Sequence, residues 1–168
     1  MLRHTLERMV SLDCYRPHDG YTYCNVGAKD ALDNRRSWCD GKYGGMLSDL
    51  PLNLIPIWPT IGALWSYDIK ADYLAALRAV HQGRIERADC RGAYELAKRG
   101  EVVFVVSVKL NHEAIVWPDM RPWNADRGCT IAQCGAWRAI TDISHKWAFG
   151  KAWRKADLLF VHLTRRGM

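Results

Sequence analysis

The run Glu101-Val-Val-Phe-Val-Val-Ser-Val-Lys109 constrains the fold most. Its density of β-branched side chains reads as a central strand. Upstream the apolar pattern is helical. Leu2 to Leu12 carry apolar side chains at positions 2, 6, 9, 10 and 12, and Val26, Ala28, Ala31 and Leu32 suit a helix from Cys24 to Leu32. Further helices are expected from Ile69 to His81, with Ala71, Leu74, Leu77, Ala79 and Val80 inward, and from Ala88 to Lys98, with Ala93, Leu96 and Ala97 inward. Gly83 and Gly100 follow these two as stop signals. Downstream, Leu110-Asn111 suits a turn and His112 to Pro118 an antiparallel partner strand. Thr130 to Cys134 reads as a third strand, Ile140 to Phe149 as a short helix, and Asp157 to Leu163 as a closing strand. Helices first and an antiparallel sheet second is an α+β layout.

A chain of 168 residues with 49% hydrophobic and 25% charged residues is expected to form one domain over residues 1–168. Ile55 to Leu64 is its most apolar stretch, but Pro56 and Pro59 interrupt it and it is too short to span a bilayer, so no transmembrane segment is expected. The first residues, Met-Leu-Arg-His-Thr-Leu-Glu-Arg, lack the apolar core of a secretory signal, which points to synthesis in a cytoplasm with reduced thiols. Cysteines at 14, 24, 39, 90, 129 and 134 form no CxxC pair, so no metal is expected. Cys129 and Cys134 stand an odd number of residues apart, which sends their side chains to opposite faces of a strand. The net charge of +6 draws the chain towards polyanions: nucleic acid, anionic membrane or acidic wall polymers. Trp38 to Pro59, rich in Gly and Pro, reads as a long irregular segment of the kind that often shapes a site.

Cys24 carries the chemistry. It lies in Gly20-Tyr21-Thr22-Tyr23-Cys24-Asn25, at the start of a helical stretch, where unpaired N–H groups and the helix dipole favour a thiolate. His112 opens a strand far downstream, so only the fold joins the two as nucleophile and base. A third polar group is needed to orient the imidazole. Gln133 on the next strand is the leading choice, with Asn124 and Asp126 as alternatives. The Cys24 N–H, helped by Tyr23, Tyr21 or His18, would stabilise the oxyanion. His81, His145 and His162 read as surface or structural. Asp40 and Asp49 lack the spacing of a two-carboxylate glycosidase.

These residues carry a resemblance. Tyr23-Cys24-Asn25 before a helix looks like the nucleophile turn of the NlpC/P60 and CHAP group of papain-like cysteine hydrolases. Gly100-Glu-Val-Val-Phe-Val, followed by His112-Glu-Ala-Ile-Val-Trp-Pro118, is similar to that group's strand and histidine motif, although Asn111 stands where many relatives have glycine. Ile131-Ala-Gln-Cys-Gly135 and Ala148-Phe-Gly150 followed by Leu159-Phe-Val-His162 resemble later strands of wall-lytic members. The likeness spans roughly residues 20–163 and implies a papain-like fold, with N-terminal helices packed on a C-terminal antiparallel sheet. It also implies cleavage of peptide or amide bonds in peptidoglycan without metal or organic cofactor. Cys24, His112 and Gln133 would be catalytic, and Tyr23, Tyr21 and Trp117 would line the oxyanion or substrate site. Such a protein would act on the cell wall after release, as a phage lysis enzyme or a delivered lytic effector. Its partners would be peptidoglycan and anionic wall polymers, with no specific nucleic acid. Two alternatives stay open: a non-enzymatic basic module that binds nucleic acid or another polyanion, and an inactive relative of the hydrolase fold.

Overall fold

The computed structural model describes residues 2–12, 69–134 and 137–163, together with Cys24 and Ala28. Its frame is a six-stranded antiparallel sheet in the order β1-β6-β2-β3-β4-β5. The strands are β1 (Glu86–Ala88), β2 (Val103–Ser107), β3 (His112–Val116), β4 (Thr130–Gln133), β5 (Ala139–Asp142) and β6 (Leu159–His162). The helices among the described residues are α1 (Leu2–Ser11), α2 (Ile69–His81) and α3 (Cys90–Lys98), with a short 3-10 helix at Lys151–Lys155. The molecule is thus α+β, as the change of period around Gly100 predicts.

Strand β2 is buried along its whole length because both faces of the sheet are covered. On one face Phe104, Val106, Ile115, Ala132, Leu159 and Val161 pack with Leu6 and Met9 of α1 and with Ala76 and Ala79 of α2. On the other face Val103, Val105, Ala114, Val116, Ile131 and Phe160 pack with Ala93, Tyr94 and Ala97 of α3 and with Ile143 and Phe149. The alternation of strand side chains sorts these residues, odd from even, along β3. Cys129 and Cys134 fall on different faces, as their odd spacing requires.

Local signals explain the helix ends. Asp89 caps α3 by accepting the Gly92 N–H at 2.6 Å. Gly83 and Gly100 both adopt positive φ where α2 and α3 stop. Of the residues expected inward on α2, Ala79 is buried and Leu77 and Val80 pack against the core, but Leu74 is 45% exposed while Ile69, Asp72, Ala75 and Ala76 are inside. Small alanines let this helix approach the sheet closely, and that packing outweighs the burial of a leucine. Two further corrections concern the sheet edges. Residues Ala139–Asp142 form a strand against β4 instead of starting a helix, and the chain then turns. Ala88, expected as the first residue of a helix, instead ends a three-residue edge strand, Glu86–Ala88, paired with β6, and the helix starts at Cys90. The expected helix from Cys24 to Leu32 is seen at Cys24 and Ala28, both helical and buried, and its remainder lies outside the described residues. The irregular segment from Trp38 to Pro59 also lies outside them.

A charged network closes the end of the sheet beside β4 and β5. Arg121 pairs with Asp119 and Asp142, each at 2.7 Å, and the Thr130 hydroxyl donates to Asp119 at 2.5 Å. Burial alone would push the Asp119 carboxyl up, but these donors outweigh it and hold the group at about 2. An unfolded aspartate titrates near ~3.9, so this stabilisation is fully present above that pH and is lost as pH falls through about 2. Denaturant unfolding at a series of acid pH values should therefore show a loss of about 2 kcal/mol across that window. Asp119→Asn should flatten this limb, and an unchanged limb in the variant would contradict the assignment.

Candidate active site

His112 and Gln133 meet at one end of the sheet. His112 is the first residue of β3, and Asn111 just before it adopts φ 47°, closing the turn from β2. Asp157 braces that turn, accepting the Ser107 hydroxyl at 2.5 Å and the Lys109 N–H at 3.2 Å. Gln133 is the last residue of β4, on the neighbouring strand. The two side chains share a face with Ala114, Val116 and Ile131, and the imidazole rests 4.9 Å from the ring of Phe149.

The hydrogen bonds determine the tautomer. Gln133 Nε2 donates to the carbonyls of Trp147, at 2.8 Å, and Trp137, at 3.2 Å. Both amide hydrogens are thereby used, so Oε1 must be the atom that faces His112 Nε2 at 2.6 Å. An oxygen acceptor there requires Nε2 to carry the ring proton, which leaves the Nδ1 lone pair as the base. Burial lowers the His112 pKa from the usual histidine range, partly offset by the Gln133 contact, so the ring is neutral at pH 7. Trp137 and Trp147, whose carbonyls hold Gln133, are 38% and 56% exposed.

The alternatives to Gln133 are engaged elsewhere. Asn124 Oδ1 accepts from the N–H groups of Asp126 and Arg127, and Asp126 pairs with Arg154 at 2.9 Å. His145 accepts the Trp147 N–H and stacks near Trp137, and His162 bonds Glu101 at 3.2 Å, so both are structural. Trp117, expected at the substrate groove, is instead buried in the core on the α1 side, with Arg3 5.3 Å above its ring. Tyr21, Tyr23 and His18 lie outside the described residues.

Cys24 occupies a different position from the one its proposed partner demands. It is 3% exposed and packs in the cluster of α1 and α2, against the face opposite to the one carrying His112 and Gln133. The structure therefore joins the base to its orienting amide and does not join the base to the thiol. At the end of β4 the alternation puts Gln133 on the His112 face and Cys134 in the cluster of Cys24.

Sequence reasoning missed Phe149 as the support of the imidazole and the tryptophan carbonyls as the support of Gln133. The Ala148-Phe-Gly150 motif was a signal for the first, and no side-chain pattern encodes the second. Among the described residues no group of three His, Cys, Asp or Glu is placed to hold a metal ion, and no helix is long and apolar enough to cross a membrane. No family model, curated protein or solved structure matches the chain.

Proposed function

We propose that this chain is a cysteine hydrolase that cleaves amide bonds in bacterial peptidoglycan, with Cys24 as nucleophile, His112 as base and Gln133 as the group that orients it. The observation that carries the reading is the neutral His112 ring held in one tautomer by an amide that is itself anchored at both hydrogens. That is the arrangement a general base needs: a fixed proton on one nitrogen and a free lone pair on the other. Supporting it are the order of elements, a helical cysteine before the sheet and a histidine opening a strand within it, and a basic chain suited to an anionic wall. Trp137 and Trp147, on the segments whose carbonyls hold Gln133, are exposed and offer apolar rings to sugars.

In the reaction, Nδ1 of His112 takes the thiol proton and Cys24 Sγ attacks the amide carbonyl. The tetrahedral intermediate collapses to a thioester as the imidazolium returns the proton to the departing amine. Water activated by the same nitrogen then releases the acid. In this structure Cys24 is buried on the sheet face opposite His112, so the attack step requires Cys24 to leave that position and reach Nδ1.

Clearing of isolated bacterial walls tests the reading. The parent protein and Cys39→Ala should clear them, and Cys24→Ala or prior alkylation should stop clearing. Equal clearing by Cys24→Ala and Cys39→Ala removes Cys24 from the mechanism. Absence of clearing by the parent, with steeply salt-dependent binding to DNA or RNA, would favour the basic binding module instead.

A further inference from the structure

A pair of thiols lies away from His112, at the other end of β4. Cys90 is the first residue of α3, behind the Asp89 cap, and Cys129 immediately precedes β4. Both are thiols, and the Cys129 N–H points at Cys90 Sγ at 3.4 Å. Cys90 is partly exposed and lines an open cavity of about 430 Å³ with two cations, Arg87 and Arg154, one carboxylate, Asp89, and the rings of Trp153 and Phe160. Cys129 is fully buried behind it. Their surroundings differ accordingly. The Cys129 side chain and N–H both hydrogen-bond Cys90 Sγ and lower its pKa against the cost of burial, whereas burial pushes the Cys129 thiol well up. One sulfur is reachable and receives an N–H donor that favours its thiolate, and its neighbour is shielded, which suits a division between an attacking and a resolving thiol.

We propose that Cys90 and Cys129 form a redox-active dithiol, with Cys90 as the site of reaction for a small carboxylate-bearing disulfide that enters the cavity beside Arg87. The Cys90 thiolate attacks one sulfur of the small disulfide, forming a mixed disulfide and expelling the other half as a thiolate. Cys129 then attacks Cys90 Sγ, its proton passing to the second departing thiolate. The protein loses two thiol hydrogens to a Cys90–Cys129 bond, and the small disulfide is reduced to two thiols. The new bond ties the start of α3 to the start of β4, the strand whose far end carries Gln133. The proposal is independent of whether the chain hydrolyses peptidoglycan.

Oxidised glutathione is the probe. After incubation with the full chain, alkylation and digestion without reductant, mass spectrometry should find Cys90 and Cys129 in one disulfide-linked peptide pair. Cys129→Ala should accumulate glutathione on Cys90, and Cys90→Ala should give neither product at this site. Trace alkylation of the unmodified protein at neutral pH gives a readout free of variants: Cys90 should react about tenfold faster than Cys129 or Cys134. The proposal is overturned by equal alkylation rates at the three positions, or by glutathione adducts at other cysteines with no Cys90–Cys129 link.

Discussion

Replacing His112 with alanine should lower the rate of wall hydrolysis by about 10²- to 10⁴-fold, the usual worth of a positioned general base, while the protein stays folded. The side chain lies partly buried at a strand end and is a member of neither core cluster, so the sheet and its helices stay packed without it. The Gln133 variants separate orientation from proton transfer. Gln133→Ala should cost about 10²-fold through misplacement of the ring. Gln133→Glu gives up both donations to the tryptophan carbonyls but puts a carboxylate beside the ring, favouring the imidazolium and moving the acid limb of the rate profile to higher pH. In the parent, the lowered His112 pKa places that limb below the ordinary histidine value of about 6.5. The same shift makes a contribution to stability that is fully present above about 6.5 and lost as pH falls through the lowered folded value. An acid limb that does not move in Gln133→Glu would show that the amide has no hold on the base.

Gly128→Ala should be the most damaging single methyl group in the described part of the molecule. Gly128 adopts φ 73°, a conformation that costs an L side chain about 1–2 kcal/mol. Its Cβ would also lie 2.5 Å from Ile143 Cγ2 and 3.0 Å from the Trp153 ring. Ile143 is fully buried and cannot yield without disturbing the second core cluster, so overpacking adds about 1–3 kcal/mol. A combined loss of about 3 kcal/mol or more should appear as a lower denaturant midpoint with an unchanged slope. A midpoint within error of the parent would mean that this turn relaxes freely. Because Gly128 precedes Cys129 and β4, the variant should also disturb the register that delivers Gln133 to His112.

Much of this arrangement is legible in the chain. The β-branched run at Val102–Val108 marks the central strand because it satisfies burial on both faces. The turn before His112 is legible because Asn111 tolerates positive φ, and Gln133 is legible because it stands out as a polar residue within an apolar strand. What sequence conceals follows from packing. Ile140 to Phe149 holds an apolar spacing that suits either period, and only pairing with β4 decides for a strand at Ala139–Asp142. Glu86-Arg-Ala88 has no strand pattern, since an edge strand is free to be charged. On α2, the burial of Asp72 and exposure of Leu74 invert a hydropathy rule that knows nothing of how near the sheet lies. At the site, the chain order relates Cys24 to His112 but says nothing of which sheet face each occupies. That depends on strand parity and on which helix covers which side.

The reading of this chain as a thiol enzyme is tested most directly on purified peptidoglycan, by mass analysis of the fragments released by the parent protein and by Cys24→Ala. The account predicts a new free amine and a new carboxyl at one amide bond with the parent, and intact stem peptides with the variant. The same fragments from both proteins, or no cleavage by the parent, would contradict it.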